Sequence, residues 1–239
     1  MIVQGNIAQE VKWREESRVP ILRRYVEATR EAALAALRDL PPGHRLAVIW
    51  PETAVPFLLP NDREARQLVA GALPQNTLLL TGTVRGDFTP AGYASDLYNS
   101  LAVIGPDTQV MAIADKMNLV PFGEYFPVPD FVRNWLRLMS LPYSDIEPGT
   151  DDQEVLKAGR FRIAPTICYE DAFGAEQRLF LPEANLLVNV SNDAWFGDSV
   201  APHQHLQIAR MRALETERYL IRSTNTGDST VVDSKGRVV

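Results

Sequence analysis

Four side chains in this sequence carry the chemistry of an acyl-transfer site, provided the fold brings them together. Cys168, in Thr166-Ile167-Cys168-Tyr169-Glu170, is the single cysteine of the chain. A thiol attacks as its thiolate, so it needs a base to take its proton. Glu52, in Trp50-Pro51-Glu52-Thr53, can be that base, because apolar surroundings raise a carboxylate's pKa toward the working range. Lys116, after Asp115, supplies an ammonium that stabilises the thiolate and then the oxyanion of a tetrahedral intermediate. Glu124, in Pro121-Phe122-Gly123-Glu124-Tyr125, can orient that lysine and offset its charge. Taken singly, each has a plainer reading: a solvated carboxylate, a surface lysine, a loop glutamate and a packing cysteine, since free cysteines are among the most buried residue types.

These residues fall where a sheet enzyme holds its reactive groups, at strand ends. The apolar run 46–50 reads as a buried strand ending at Pro51 and delivering Glu52. Residues 98–104, a turn at Gly105-Pro106-Asp107 and residues 109–114 read as a hairpin that ends beside Lys116. Residues 116–130 are a loop punctuated by Pro and Gly. The strand 162–167 leads straight into Cys168, as a strand leads into the nucleophile elbow of other α/β enzymes. Buried strands are also expected at 77–84 and 186–190, with a final hairpin from 220–225 and 229–233. Loop is expected over 191–202. Apolar spacing predicts helices over 18–40 and 203–219. Asn61 with Glu64 has capping-box spacing for a helix running to about residue 73. A short helix is expected at 131–139. Strands alternating with helices, plus hairpins, indicate a layered α/β fold with mixed sheets.

Composition fits one large domain: 239 residues, 46% hydrophobic and 23% charged. One cysteine excludes a disulfide scaffold. The net charge of -6 argues against a nucleic-acid binder, which needs a basic face to displace counterions. No apolar run approaches the ~20 residues that span a bilayer. Both ends read as cut, because residues 2–4 open as a strand and the last residues stop one step into a hairpin. The expectation is a single domain over 1–239, incomplete at both ends.

The Glu-Lys-Cys set with a second Glu resembles the nitrilase superfamily. More narrowly, the chain resembles the nitrilase-like domain of the apolipoprotein N-acyltransferase family. The matching strings include Lys12-Trp13, Leu119-Val120-Pro121-Phe122-Gly123-Glu124, Ser191-Asn192-Asp193-Ala194-Trp195-Phe196-Gly197, Gln204-His205-Leu206 and Arg222-Ser223-Thr224-Asn225. The resemblance implies an αββα sandwich and a reaction in two half-steps, with no metal or organic cofactor. Cys168, activated by Glu52, takes an acyl chain from a phospholipid as a thioester. The α-amine of a diacylglyceryl apolipoprotein then takes it from the enzyme. Lys116 and the Tyr169 N–H would hold the oxyanion, with Glu124 positioning Lys116. Tyr169 and Glu170 would flank the nucleophile and shape the acyl or amine site, and Trp13 and Trp195 would be lid or pocket-wall residues. The resemblance also implies the bacterial inner membrane, with the catalytic domain on its periplasmic face and membrane attachment through segments outside this chain. Two other readings stay open on the residues alone. One is a soluble amidase in which water resolves the thioester; the other is a non-catalytic binding domain in which Cys168 resists alkylation.

Overall fold

A computed structural model describes residues 1–75, 77–92, 94–125, 127–128, 146–150, 152–174 and 182–239. Among these, the strands form two mixed sheets. The first has the order β1(Ala47–Trp50), β2(Leu78–Phe88), β3(Ala94–Ile104), β4(Val110–Asp115). The second has the order β5(Leu156–Ala158), β6(Phe161–Ile167), β7(Leu186–Ser191), β8(Tyr219–Thr224), β9(Thr230–Val232). The β1–β2 pair is parallel, while β2–β3 and β3–β4 are antiparallel. In the second sheet β6, β7 and β8 run parallel, with an antiparallel strand at each edge.

Period-2 alternation explains how the layers stack. On β1, Val48 and Trp50 face one side and Ile49 the other; on β3, Leu101 and Val103 oppose Ala102 and Ile104. Ile49, Leu80, Leu101 and Val103 pack against Ile163, Ile167, Val188 and Val190 of the second sheet, which makes the central core. The outer face of the first sheet is covered by α2(Arg18–Asp39) and α3(Arg63–Ala72). Helix α2 presents Ile21, Leu22, Tyr25, Thr29 and Ala33, and Trp50 donates to the Thr29 hydroxyl at 2.8 Å. The outer face of the second sheet is covered by α4(Ala201–Thr216) through Ala209 and Ala213, packed against Leu187, Leu220 and Val232. The expected αββα sandwich is therefore the observed fold.

Several boundaries differ from expectation, each for a local reason. The cap of α3 is Asp62, which accepts from the Ala65 N–H at 2.9 Å; Asn61 instead exchanges two 3.0 Å bonds with the Gly86 backbone. Strand β2 runs on to Phe88 because the partner β3 is equally long. The expected loop 191–202 contains a 3₁₀ turn, Asp193–Phe196, and α4 begins inside it at Ala201. Helix α4 stops at Thr216, with Glu217 left-handed at φ 53, so Tyr219 opens β8. The opening residues 2–4 contribute only a bridge from Ile2 to Ile49. A short helix, α1(Gln9–Lys12), and the edge strand β5 carry no periodic pattern. The helix expected at 131–139 lies outside the described residues.

Candidate active site

The strand directions put the candidate residues at one end of the sandwich. Glu52 leaves the C-terminal end of β1, Lys116 that of β4 and Cys168 that of β6. Chain geometry turns sharply at these exits. Thr53 after Glu52 has φ 44, and Cys168 itself has φ 52. A left-handed backbone at a residue with a side chain is sparsely populated and marks a position held by its surroundings. The sharp elbow expected at Cys168 is present as geometry: strand residue Ile167 gives way at once to a 3₁₀ turn, Cys168–Ala172.

Glu52, Lys116 and Glu124 meet in one polar cluster. The Lys116 Nζ lies 2.8 Å from Glu124 Oε2 and 3.6 Å from Glu52 Oε1. Lys116 is 1% and Glu52 6% exposed, so the ion pairs are little weakened by solvent. Burial alone would push the Lys116 ammonium down; the Glu52 and Glu124 charges and the Glu124 hydrogen bond oppose it, and its pKa lies above the usual lysine value. Asn99 bridges the two carboxylates, its Nδ2 donating to Glu52 Oε1 and Glu124 Oε1, both at 2.8 Å. Glu124 is fixed further by the Val120 N–H at 2.9 Å. Among the described residues, no group of three or more His, Cys, Asp or Glu side chains is placed to hold a metal ion.

Cys168 is half-buried. Burial and the Glu52 carboxylate push its thiol up to about 12, against the opposing pull of Lys116, Ser191 and the Asn192 N–H. At neutral pH the sulfur is therefore protonated, and nucleophilic attack requires transfer of that proton. Among the charged groups that act on the sulfur, the Glu52 carboxylate disfavours its charged form and the Lys116 ammonium favours it.

The elbow is braced from two sides. Glu170 is buried, and its carboxylate accepts from three main-chain N–H groups: Met117 at 2.6 Å, Asn118 at 3.1 Å and Ile167 at 2.8 Å. These contacts tie the chain after Lys116 to the chain before Cys168. Burial raises the Glu170 pKa to about 7, against those donors. Behind the turn, His205 on α4 lies 3.2 Å from the Cys168 carbonyl oxygen and 2.9 Å from Asp193. Tyr169 is 44% exposed and packs edge-on against Phe173 at 5.0 Å. Trp13 and Trp195 are 54% and 65% exposed. Trp13 adjoins Lys12, whose Nζ donates to the Glu52 carbonyl oxygen at 3.3 Å; Trp195 sits in the 3₁₀ turn after β7. Beside Lys116 a cavity of about 410 Å³ is lined by Met117, Asn118, Leu119, Tyr125, Ile146, Glu147 and Pro148.

Three groups around the site were given no role by the sequence reading: Asn99, the buried ammonium of Lys12, and the His205–Asp193 pair. Asn99 had a usable signal, since it shares the inner-face parity of Leu101 and Val103 yet is polar. Gly82 belongs with them. A Cβ there would lie 2.6 Å from the Pro51 carbonyl oxygen and collide with the Glu52 Cα. Both are backbone, so neither can swing aside. Gly82→Ala is expected to displace Glu52 and to cost roughly 1–3 kcal/mol of stability, the usual range for overpacking. Thermal denaturation and the Cys168 alkylation rate check both effects.

An αββα sandwich of two mixed sheets, with the Glu52–Lys116–Glu124 cluster at the strand ends and Cys168 on a left-handed turn after β6, has the nitrilase type of architecture. The chain belongs to the carbon-nitrogen hydrolase family, whose model matches residues 2–239. Among solved structures, the chain is similar to Nit3 of Saccharomyces cerevisiae, a member of the nitrilase superfamily (TM-score 0.65, 17% identity, 100% of this chain and 83% of that one). It is also similar to the glutamine-dependent NAD+ synthetase of Acinetobacter baumannii (TM-score 0.66, 16% identity, 98% and 41%). Curated relatives are much nearer in sequence. An apolipoprotein N-acyltransferase of Methylococcus capsulatus is 40% identical over 100% of this chain and 44% of its own length. One from Allorhizobium ampelinum is 39% identical over 99% and 44%. The chain thus spans somewhat under half the length of these relatives. Among the described residues no helix is long and apolar enough to cross a membrane.

Proposed function

We propose that this chain is the catalytic domain, over residues 1–239, of an apolipoprotein N-acyltransferase. Cys168 is the nucleophile, Glu52 the base, and Lys116 with the Tyr169 N–H the oxyanion donors. In the first half-reaction the Cys168 sulfur bonds to the ester carbonyl carbon of a phospholipid while its proton passes to Glu52. Lys116 stabilises the resulting oxyanion. Collapse breaks the ester C–O bond, Glu52 returns the proton to the leaving oxygen, and a lysophospholipid departs from a thioester. In the second, the α-amine of a diacylglyceryl-cysteine attacks that thioester, Glu52 takes the amine proton, and the thiolate leaves and is reprotonated. Glu124 keeps Lys116 aimed; Trp13 and Trp195 wall the site where lipid enters. The reading places the domain on the periplasmic face of a bacterial inner membrane, attached through segments outside this chain.

The observation that carries the choice of reaction is the 39–40% identity to relatives so named, over essentially all of this chain. The exposed aromatics Trp13, Trp195 and Phe122 (71%) around the site favour a lipid-facing mouth over a closed small-molecule pocket. The test uses the protein with whatever flanking sequence its gene encodes, mixed with phospholipid vesicles and no acceptor. The expected product is one acyl chain on Cys168, labile to hydroxylamine and discharged as an amide when a diacylglyceryl lipopeptide is added. Lipopeptide acylation without a Cys168 adduct would refute the mechanism. Hydrolysis of a small amide with no lipid turnover would favour the amidase.

A further inference from the structure

A second polar network stands behind the elbow, on the buried face of α4. His205, Ala209 and Ala213 recur every four residues, so they share one side of the helix. Ala209 and Ala213 pack into the outer core. His205, 8% exposed, instead sets its imidazole between two polar groups. Nδ1 lies 2.9 Å from Asp193 Oδ1, and Nε2 lies 3.2 Å from the Cys168 carbonyl oxygen. A carbonyl oxygen only accepts, so Nε2 is the donor in that bond. The ring is held in place from other sides too. Asp193 is itself bound by Arg222 at 2.9 Å, and Phe196 packs edge-on against the imidazole at 6.1 Å.

Peptide geometry decides what that bond controls. The peptide joining Cys168 to Tyr169 is trans, so its C=O and N–H lie in one plane and point opposite ways. A donor that fixes the direction of the Cys168 carbonyl therefore fixes the direction of the Tyr169 N–H. That N–H is not spent within the turn, because Tyr169 is the second residue of the 3₁₀ segment and has no carbonyl three positions back inside it. The plane also needs holding. Cys168 is left-handed at φ 52, a conformation that a residue with a side chain keeps where its surroundings impose it. The other braces at the elbow act elsewhere: Glu170 accepts from the Ile167 N–H before the cysteine, and Asp171 accepts from the Thr166 hydroxyl. Among the described residues, His205 is the side chain that bonds the Cys168–Tyr169 peptide itself.

We propose that His205 is a positioning residue for the oxyanion hole: by holding the Cys168 carbonyl it aims the Tyr169 N–H at the place where the substrate's oxyanion forms. This assignment rests on the proposed acyl transfer, in which that N–H and Lys116 are the oxyanion donors.

Two reactions of the same sulfur separate this role from a merely structural one. Acylation by phospholipid vesicles passes through a tetrahedral oxyanion. In alkylation by iodoacetamide the sulfur displaces iodide at a saturated carbon, and no oxyanion arises. Both are read by mass at the single cysteine, in the protein with its gene-encoded flanks. His205→Leu is expected to slow acylation about 10–10²-fold, short of the about 10²–10³ for outright loss of a donor, and to leave alkylation unchanged. His205→Asn, whose shorter amide can meet Asp193 but not the carbonyl, is expected to do the same. His205→Gln, whose amide reaches the Nε2 position, is expected to recover most of the acylation rate. Unslowed acylation in His205→Leu or His205→Asn, beside a working unsubstituted enzyme, overturns this assignment alone. Slowing of both reactions together also overturns it, and makes His205 a support of the fold or of the thiol. If the unsubstituted protein is alkylated at Cys168 but forms no acyl-enzyme, the acyl-transfer reading fails and this assignment with it.

Discussion

Lys116→Met should slow formation of the Cys168 acyl-enzyme by at least about 10²–10³, the usual loss when one oxyanion donor is removed. Methionine keeps most of the buried stem and deletes the charge. The direct consequence is an oxyanion with one cationic donor fewer. The indirect one concerns the base. Glu52 and Glu124 are linked through a single Asn99 amide, each at 2.8 Å. With Lys116 gone, the buried Glu52 and half-buried Glu124 carboxylates share one donor and have lost the cation between them, so their mutual repulsion is no longer offset. That repulsion displaces Glu52 from the place where it would take the Cys168 proton. The thiol, which Lys116 helps to pull down, moves further up. Both effects act on the same step, so the loss should exceed that of an oxyanion donor alone. Single-turnover acylation with phospholipid vesicles measures it; a rate within ten-fold of the unsubstituted protein would remove Lys116 from the oxyanion role.

The strands that deliver the reactive groups were legible because their apolar runs end in polar residues. Residues 46–50, 109–114 and 162–167 stop just before Glu52, Lys116 and Cys168, and the backbone turns left-handed at Thr53 and at Cys168. What was not legible is contact between residues distant in the chain. Lys12 lies 40 positions before the carbonyl it touches, and a four-residue helix is too short to show a period. Glu170 looked like a flank of the nucleophile because it is two residues away, yet its carboxylate reaches back across the loop to Met117 and Asn118. The cap of α3 shows the same limit locally: Asn61 and Asp62 are equivalent as capping types, and only the backbone of Gly86 decides which is engaged elsewhere. Gly82 carried no signal of its own, since a glycine in a strand fits a bulge as well as a close approach.

The largest stability effect is expected not at the reacting atoms but behind them. Arg222 stands in β8 with no exposed surface. Its Nη2 donates to Asp193 at 2.9 Å and its Nη1 reaches Asp171 at 3.4 Å and the Asn189 side-chain oxygen at 2.5 Å. Asp171 lies in the same 3₁₀ turn as Cys168 and accepts from the Thr166 hydroxyl at 2.8 Å. Asp193 is the partner of His205, whose other nitrogen meets the Cys168 carbonyl. The guanidinium therefore holds two buried carboxylates that both lead to the elbow. Burial already raises the Asp171 pKa, with Arg222 the foremost influence opposing it. Arg222→Met fills most of the space but leaves Asp171 and Asp193 without their shared cation. Breaking a buried pair in this way typically costs about 3–5 kcal/mol, because the stranded charge stays desolvated. Asp171 should respond by taking a proton, which recovers part of the loss at low pH, so the variant's deficit should narrow as pH falls. Urea denaturation at neutral and at mildly acidic pH measures both the deficit and its narrowing. A deficit below about 1 kcal/mol, the range of exposed ion pairs, would mean that the elbow does not depend on this network. A large deficit that stays constant with pH would mean that neither carboxylate neutralises when its cation is removed.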